Sequence, residues 1–148
     1  FFAKFMVIAK HGHLVGVSSI AGFRGAPSAA AYSATKAALI SYLESLRFSV
    51  RPFGVFVTDI RPGFVRTPMT DRNVVPMPFL MEVDKASHKI RRAIARRRKR
   101  FTFPWQMAVL LHLIKATPDF IYDWVAGITF GKQAVSGRTG KSESNTPE

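Results

Sequence analysis

The chain has 148 residues, 47% of them hydrophobic, which suffices for one domain with a packed core and excludes a disordered tail. Its 22 basic and 9 acidic residues give a net charge of +13, which points to anionic partners: nucleic acid, an anionic membrane surface or a charged small ligand. It has no cysteine, which excludes disulfides and thiolate metal sites and fits a reducing, cytoplasmic setting.

The opening "FFAKFMVIAK" is too short and too interrupted to span a membrane, and it lacks the small-residue cleavage site of a signal peptide. It reads as the tail of a helix. A turn at His11-Gly12-His13 and a short buried strand, "LVGV" over 14–17, are expected next. Gly22, Gly25 and Pro27 then mark a loop. From about 31 to 50 alanine is abundant and Leu39, Leu43, Leu46 and Val50 recur at helical intervals, so a helix is predicted, ended by "RPFG". "VFVTDI", 55–60, is a second buried strand.

Strand, loop, helix, strand is a βαβ unit with parallel strands and a right-handed crossover. Ligands of such folds bind outside the carboxyl ends of the strands. The first strand ends at Ser18 and Ser19, and the second runs into "RPGFVRTPMT". After an irregular stretch with Pro76 and Pro78, a basic amphipathic helix is expected over 82–99, with Val83, Ala86, Ile90 and Ile94 as its apolar face. "RFTF" suits a short edge strand. Two apolar helices follow, about 104–116 and 118–131, each opened by a proline. The chain divides into a folded portion, 1–133, and a polar, flexible tail, 134–148.

In "SAAAYSATKAAL", Tyr32 and Lys36 stand four apart, so on a helix they share a face. An ammonium beside a phenol favours the phenolate, which suits the tyrosine to give or take a proton. Ser19 can face the same space from the end of the first strand. The small Ala30, Ser33, Ala34 and Ala37 would let a flat ligand lie close. Such a pair is common on solvated helix faces, so the neighbouring motifs carry the weight.

"SSIAG", "YSATK" and "PGFVRT", in that order, resemble the second half of the short-chain dehydrogenase/reductase family. The family's serine lies thirteen residues before its tyrosine, which here is Ser19. The resemblance covers roughly residues 12–70. It implies the C-terminal catalytic half of an α/β, Rossmann-like doubly wound parallel sheet, with extra C-terminal helices. It implies Tyr32 as general acid/base and Lys36 as the residue that holds the nicotinamide ribose and favours the phenolate. Ser19 would orient the substrate oxygen. Pro62, Gly63, Val65 and Thr67 match the Pro-Gly-x-x-x-Thr stretch, where the backbone near Val65 meets the carboxamide and Thr67 helps hold the cofactor. Ser18 would lie beside the site in a structural role.

The family's glycine-rich phosphate cradle and catalytic asparagine have no counterpart here; the only asparagines are Asn73 and Asn145. The N-terminal cofactor-binding half is therefore expected to be absent from these 148 residues. NADP(H) is favoured over NAD(H), because a basic chain suits an anionic ligand, with Arg24 and Arg66 as candidates to meet a phosphate. No metal is expected: His11, His13, His88 and His112 lack ligand spacing.

"RRAIARRRKR" carries no interleaved aromatics, which argues against nucleic acid. Beside apolar helices containing Trp105, Tyr122 and Trp124 it could seat the protein on an anionic bilayer; the plainer reading is a solvated face beside core-covering helices. Met69, Val74, Val75, Met77, Phe79, Leu80 and Met81 suggest an apolar lid and a hydrophobic carbonyl or alcohol substrate. Tyr42 and Tyr122 read as packing residues. A homo-oligomer through helix 31–50 is expected. The alternative to an enzyme is a non-catalytic chain serving as a dimerising or membrane-surface module.

Overall fold

The computed structural model describes residues 1–25, 29–68, 70, 77–125 and 127, without the side chain of Leu111. The expectations on Pro27, Met69, Val74, Val75, Pro76, the end of the last helix and the 134–148 tail lie outside the described residues. Helix α1 (Phe2–Ala9) ends where Lys10 turns left-handed, at φ 53°. The His11 N–H then returns to the Met6 carbonyl at 3.2 Å. The turn thus sits at Lys10, and Gly12 already belongs to the strand β1 (Gly12–Val17). Helix α2 (Ala30–Val50) matches the alanine-rich prediction closely. Gly54, at φ 72°, reverses the chain into β2 (Val55–Pro62).

Helix α3 (Val83–Ala95) is shorter than expected. Arg97 adopts φ 49°, and the Arg97 and Arg98 N–H groups return to Ile94 and Ala93. This paired closure stops a helix even inside a continuous run of good helix formers. The chain then enters β3 (Arg100–Phe103), followed by α4 (Trp105–Ala116), with Pro104 as its N-cap. A further helical segment covers 119–125.

The described strands form a parallel sheet in the order β1-β2-β3. Alternation along β2 splits the apolar residues between its faces. Val55 and Val57 join Leu43 and Val50 under α1 and α2. Ile60 and Phe103 meet Ala86 and Ala93 of α3 on the other face. Helices on both faces make the sheet doubly wound. Gly16 permits the α2 contact: a Cβ there would lie 2.3 Å from Leu43 Cδ1.

Three expectations need correction. β1 is not buried on both faces, because Val15 and Val17 are exposed on the side away from α2. Val83 is exposed and adds nothing to the apolar face of α3. Tyr42 is exposed rather than packed.

Candidate active site

β1 delivers Ser19, and the opening turns of α2 deliver Tyr32 and Lys36. Lys36 Nζ donates to the carbonyl oxygen of Val17, the last residue of β1, at 3.1 Å. The same ammonium lies 5.5 Å from the centroid of the Tyr32 ring, so the pair shares a face as its spacing predicts. Tyr32 is 46% exposed and open to a ligand. Ser19 is 8% exposed. Its Oγ accepts the Ala21 N–H at 3.1 Å and caps the short 3-10 turn Ile20–Gly22.

That turn lies directly on α2. A Cβ on Gly22 would stand 2.7 Å from the Lys36 carbonyl carbon and 2.8 Å from the Ala37 nitrogen. Only glycine lets the serine loop reach the helix at its lysine.

The second motif arrives beside the first. The Ser18 N–H donates to the Ile60 carbonyl at 2.8 Å, so pairing continues past Val17 and Ser19 comes level with Pro62. The Gly63 N–H bonds the Phe103 carbonyl at 2.7 Å, in a space where a Cβ would press on Pro104. Val65 bridges Met81 through the Arg66 N–H and the Phe64 carbonyl, at 2.9 and 3.0 Å. Thr70 Oγ1 accepts the Thr67 N–H at 2.8 Å and lies 2.8 Å from the Val65 carbonyl oxygen. Beside this loop, Val65, Thr67, Val83, Ala86, Ser87, Ile90 and Arg91 line a hollow of about 260 Å³, open to solvent.

Of the suggested lid, Met81 packs instead into the α3 core, while Phe79 is exposed. Arg24 is not available to a phosphate. It donates to the Ile114 and Thr117 carbonyls at 2.9 and 2.8 Å, pairs with Asp119 at 2.6 Å, and lies 3.9 Å from the Tyr122 ring centroid. Tyr122 Oη in turn donates to the Gly25 carbonyl at 2.6 Å. Arg66 pairs with Glu82 at 2.9 Å.

Sequence reading missed the charged pair inside β2. Ser18 Oγ donates to Asp59 Oδ1 at 2.5 Å, and Arg61 Nε donates to Asp59 Oδ2 at 2.6 Å. The signal was present: opposite charges two apart in an otherwise apolar strand must face the same way. On the opposite face, His13 Nε2 lies 2.8 Å from Thr58 Oγ1. Burial, and next the Arg97 cation, hold its imidazole below the ordinary value near 6.5. Among the described residues no three His, Cys, Asp or Glu side chains gather as a metal site, and no helix is long and apolar enough to cross a membrane.

Residues 1–76 match the family model for short chain dehydrogenase. The chain belongs to the short chain dehydrogenase family. An uncharacterized oxidoreductase of Myxococcus xanthus is 50% identical over 121 residues, 82% of this chain and 48% of that protein. A 3-oxoacyl-[acyl-carrier-protein] reductase of Rickettsia prowazekii is 39% identical over 69 residues, 47% of this chain and 29% of that one. The same fold occurs in a short-chain dehydrogenase from Sphingobium yanoikuyae in complex with NADPH, with TM-score 0.62, 22% identity, and coverage of 99% of this chain and 52% of that one. The matched part of this chain thus spans from about a third to about half the length of these relatives.

Proposed function

We propose that this chain carries the catalytic half of an NAD(P)-dependent oxidoreductase that interconverts a hydrophobic alcohol and its carbonyl. The observation behind this reading is the gathering of Ser19, Tyr32 and Lys36 at the carboxyl end of β1, with the 62–67 turn leaving the adjacent strand at the same level.

The residues present fit the nicotinamide end of the cofactor. Tyr32 is open to solvent, and the Val65 N–H takes no part in the bridge to Met81. Lys36 would hold the ribose, and Pro62, Gly63, Val65 and Thr67 would frame the carboxamide. When bound, the nicotinamide supplies or accepts a hydride. Tyr32 gives the substrate oxygen its proton or removes it. Ser19 donates a hydrogen bond to that oxygen and orients it; its Oγ accepts the Ala21 N–H, which leaves its own proton to donate.

NADP(H) is the favoured form on charge. The domain reading is that 1–133 form this catalytic portion and 134–148 a tail. The apolar Val65–Ile90 hollow supports a hydrophobic substrate. The exposed Tyr42 and Phe48 support self-association through α2, which light scattering would reveal and Tyr42→Asp would abolish. The exposed Trp105, Phe120 and Trp124 support a peripheral membrane contact. Absence of co-sedimentation with vesicles would rule it out. The basic turn gives that contact little help, since it enters β3 at one end and α4 leaves from the other, about 13 Å away.

The test of the main reading is Tyr32→Phe in the whole enzyme, followed by oxidation of NADPH and NADH with a panel of carbonyls. Turnover should fall at least about a thousand-fold with the fold kept. Retained turnover removes the assigned role.

A further inference from the structure

We propose that Ser18, Asp59 and Arg61 form a buried positioning network that fixes the segment carrying Ser19. It rests on the reading of Ser19 given above. All three side chains are at least nine-tenths buried, at 3%, 2% and 5% exposure. Each Asp59 oxygen has its own partner: Oδ1 takes the Ser18 hydroxyl and Oδ2 takes Arg61 Nε. The Ser18 hydroxyl also lies 3.2 Å from the Ile60 carbonyl, and its N–H bonds the same oxygen at 2.8 Å. The residue before Ser19 is thus held by both backbone and side chain.

The network reaches the other end of the segment as well. The Arg61 guanidinium stands 5.2 Å from the Phe23 ring centroid, just past the turn that Ser19 caps. Ser18 and Phe23 bracket Ser19, Ile20, Ala21 and Gly22, and β2 grips both.

Stability gives little reason for this arrangement. Burying an ion pair costs desolvation that its attraction only partly returns, and apolar residues of like volume often stabilise more. What an ion pair supplies and an apolar pair does not is direction. A carboxylate with two fixed partners holds the Ser18 hydroxyl along one line. Displacement of a catalytic group by about 1 Å can cost on the order of 100-fold in rate.

Two variants test this in the whole protein. Ser18→Ala removes the hydroxyl that reaches Asp59. Asp59→Leu with Arg61→Met replaces the ion pair by apolar residues. Hydrogen exchange at the Ala21 amide and its neighbours is measured without added ligand, then kcat and KM are measured with a carbonyl that the unaltered enzyme turns over. Exchange across 19–23 should quicken several-fold in both variants, with no change in α3. The melting temperature of the double variant should be equal or higher. kcat should fall about 10- to 100-fold with KM nearly constant.

A structural role alone would move stability and leave kcat in place. Unchanged exchange in Ser18→Ala overturns the proposal, and so does quickened exchange with unchanged kcat. If the double variant does not fold, Ser18→Ala decides. If the unaltered protein turns over nothing, the oxidoreductase reading fails, and exchange alone then decides the network.

Discussion

Lys36 Nζ and the Val17 carbonyl oxygen are joined at 3.1 Å across nineteen residues of chain, tying the helix that carries the tyrosine to the strand that delivers the serine. Gly22 completes the tie from the serine side by lying against the backbone of Lys36 and Ala37.

Gly22→Ala follows from this approach. The new Cβ would meet main-chain atoms at 2.7 and 2.8 Å, and main chain inside α2 has no room to give. The expected cost is about 1–3 kcal/mol, read by denaturant unfolding. Activity should fall further than stability, because the displaced turn carries Ser19. A variant as stable and active as the parent would show that the loop has slack.

Arg24 joins the serine loop to the end of α4 and the segment after it. Arg24→Ala should cost about 1–2 kcal/mol, since two carbonyls and the Tyr122 ring lose a partner. The Asp119 pair contributes little, because that carboxylate is 94% exposed. Limited proteolysis is the direct measurement: cleavage between 114 and 125 should quicken while the sheet stays intact. Unchanged cleavage would mean that the helices hold without the clamp.

His13 gives the chain a pH dependence of definite sign. Its folded-state value is lowered, by burial first and by Arg97 second. The unfolded chain therefore binds the proton more readily. The stability from the neutral imidazole is full above about pH 6.5 and is lost as pH falls through the lowered folded value. Melting curves from pH 7.5 down to 5 should show this decline, and His13→Gln should flatten it. Equal slopes for the two proteins would refute it.

Much of this architecture could be read in the residues. The periodicity of 31–50 set α2, the apolar runs at 14–17 and 55–60 set two parallel strands, and "RFTF" is the third. The end of α3 could not be read, since "RRRK" has good helical propensity. A left-handed residue at Arg97 stops the helix there, and tertiary packing into β3 selects that conformation. Tyr32 and Lys36 were legible because a helix fixes what lies four apart. Arg24 was not, because its partners lie about ninety residues on. Asp59 and Arg61 were legible as a pair from their spacing in an apolar strand, but their third partner, Ser18, lies forty-one residues before Asp59 and was not.

The neighbours Ser18 and Ser19 carry the same hydroxyl, and only the two-residue alternation of the strand divides their work. One turns inward to Asp59 and the other toward the Ala21 amide beside the site. Deleting one residue from β1 would exchange their faces: Ser19 would take the place of Ser18 against Asp59, and Ile20 the place of Ser19. Deleting two would keep the alternation but put Ile20 in the place of Ser18 and Ala21 in that of Ser19, removing both hydroxyls. This end of the sheet is thus fixed in length as well as in the residues it presents.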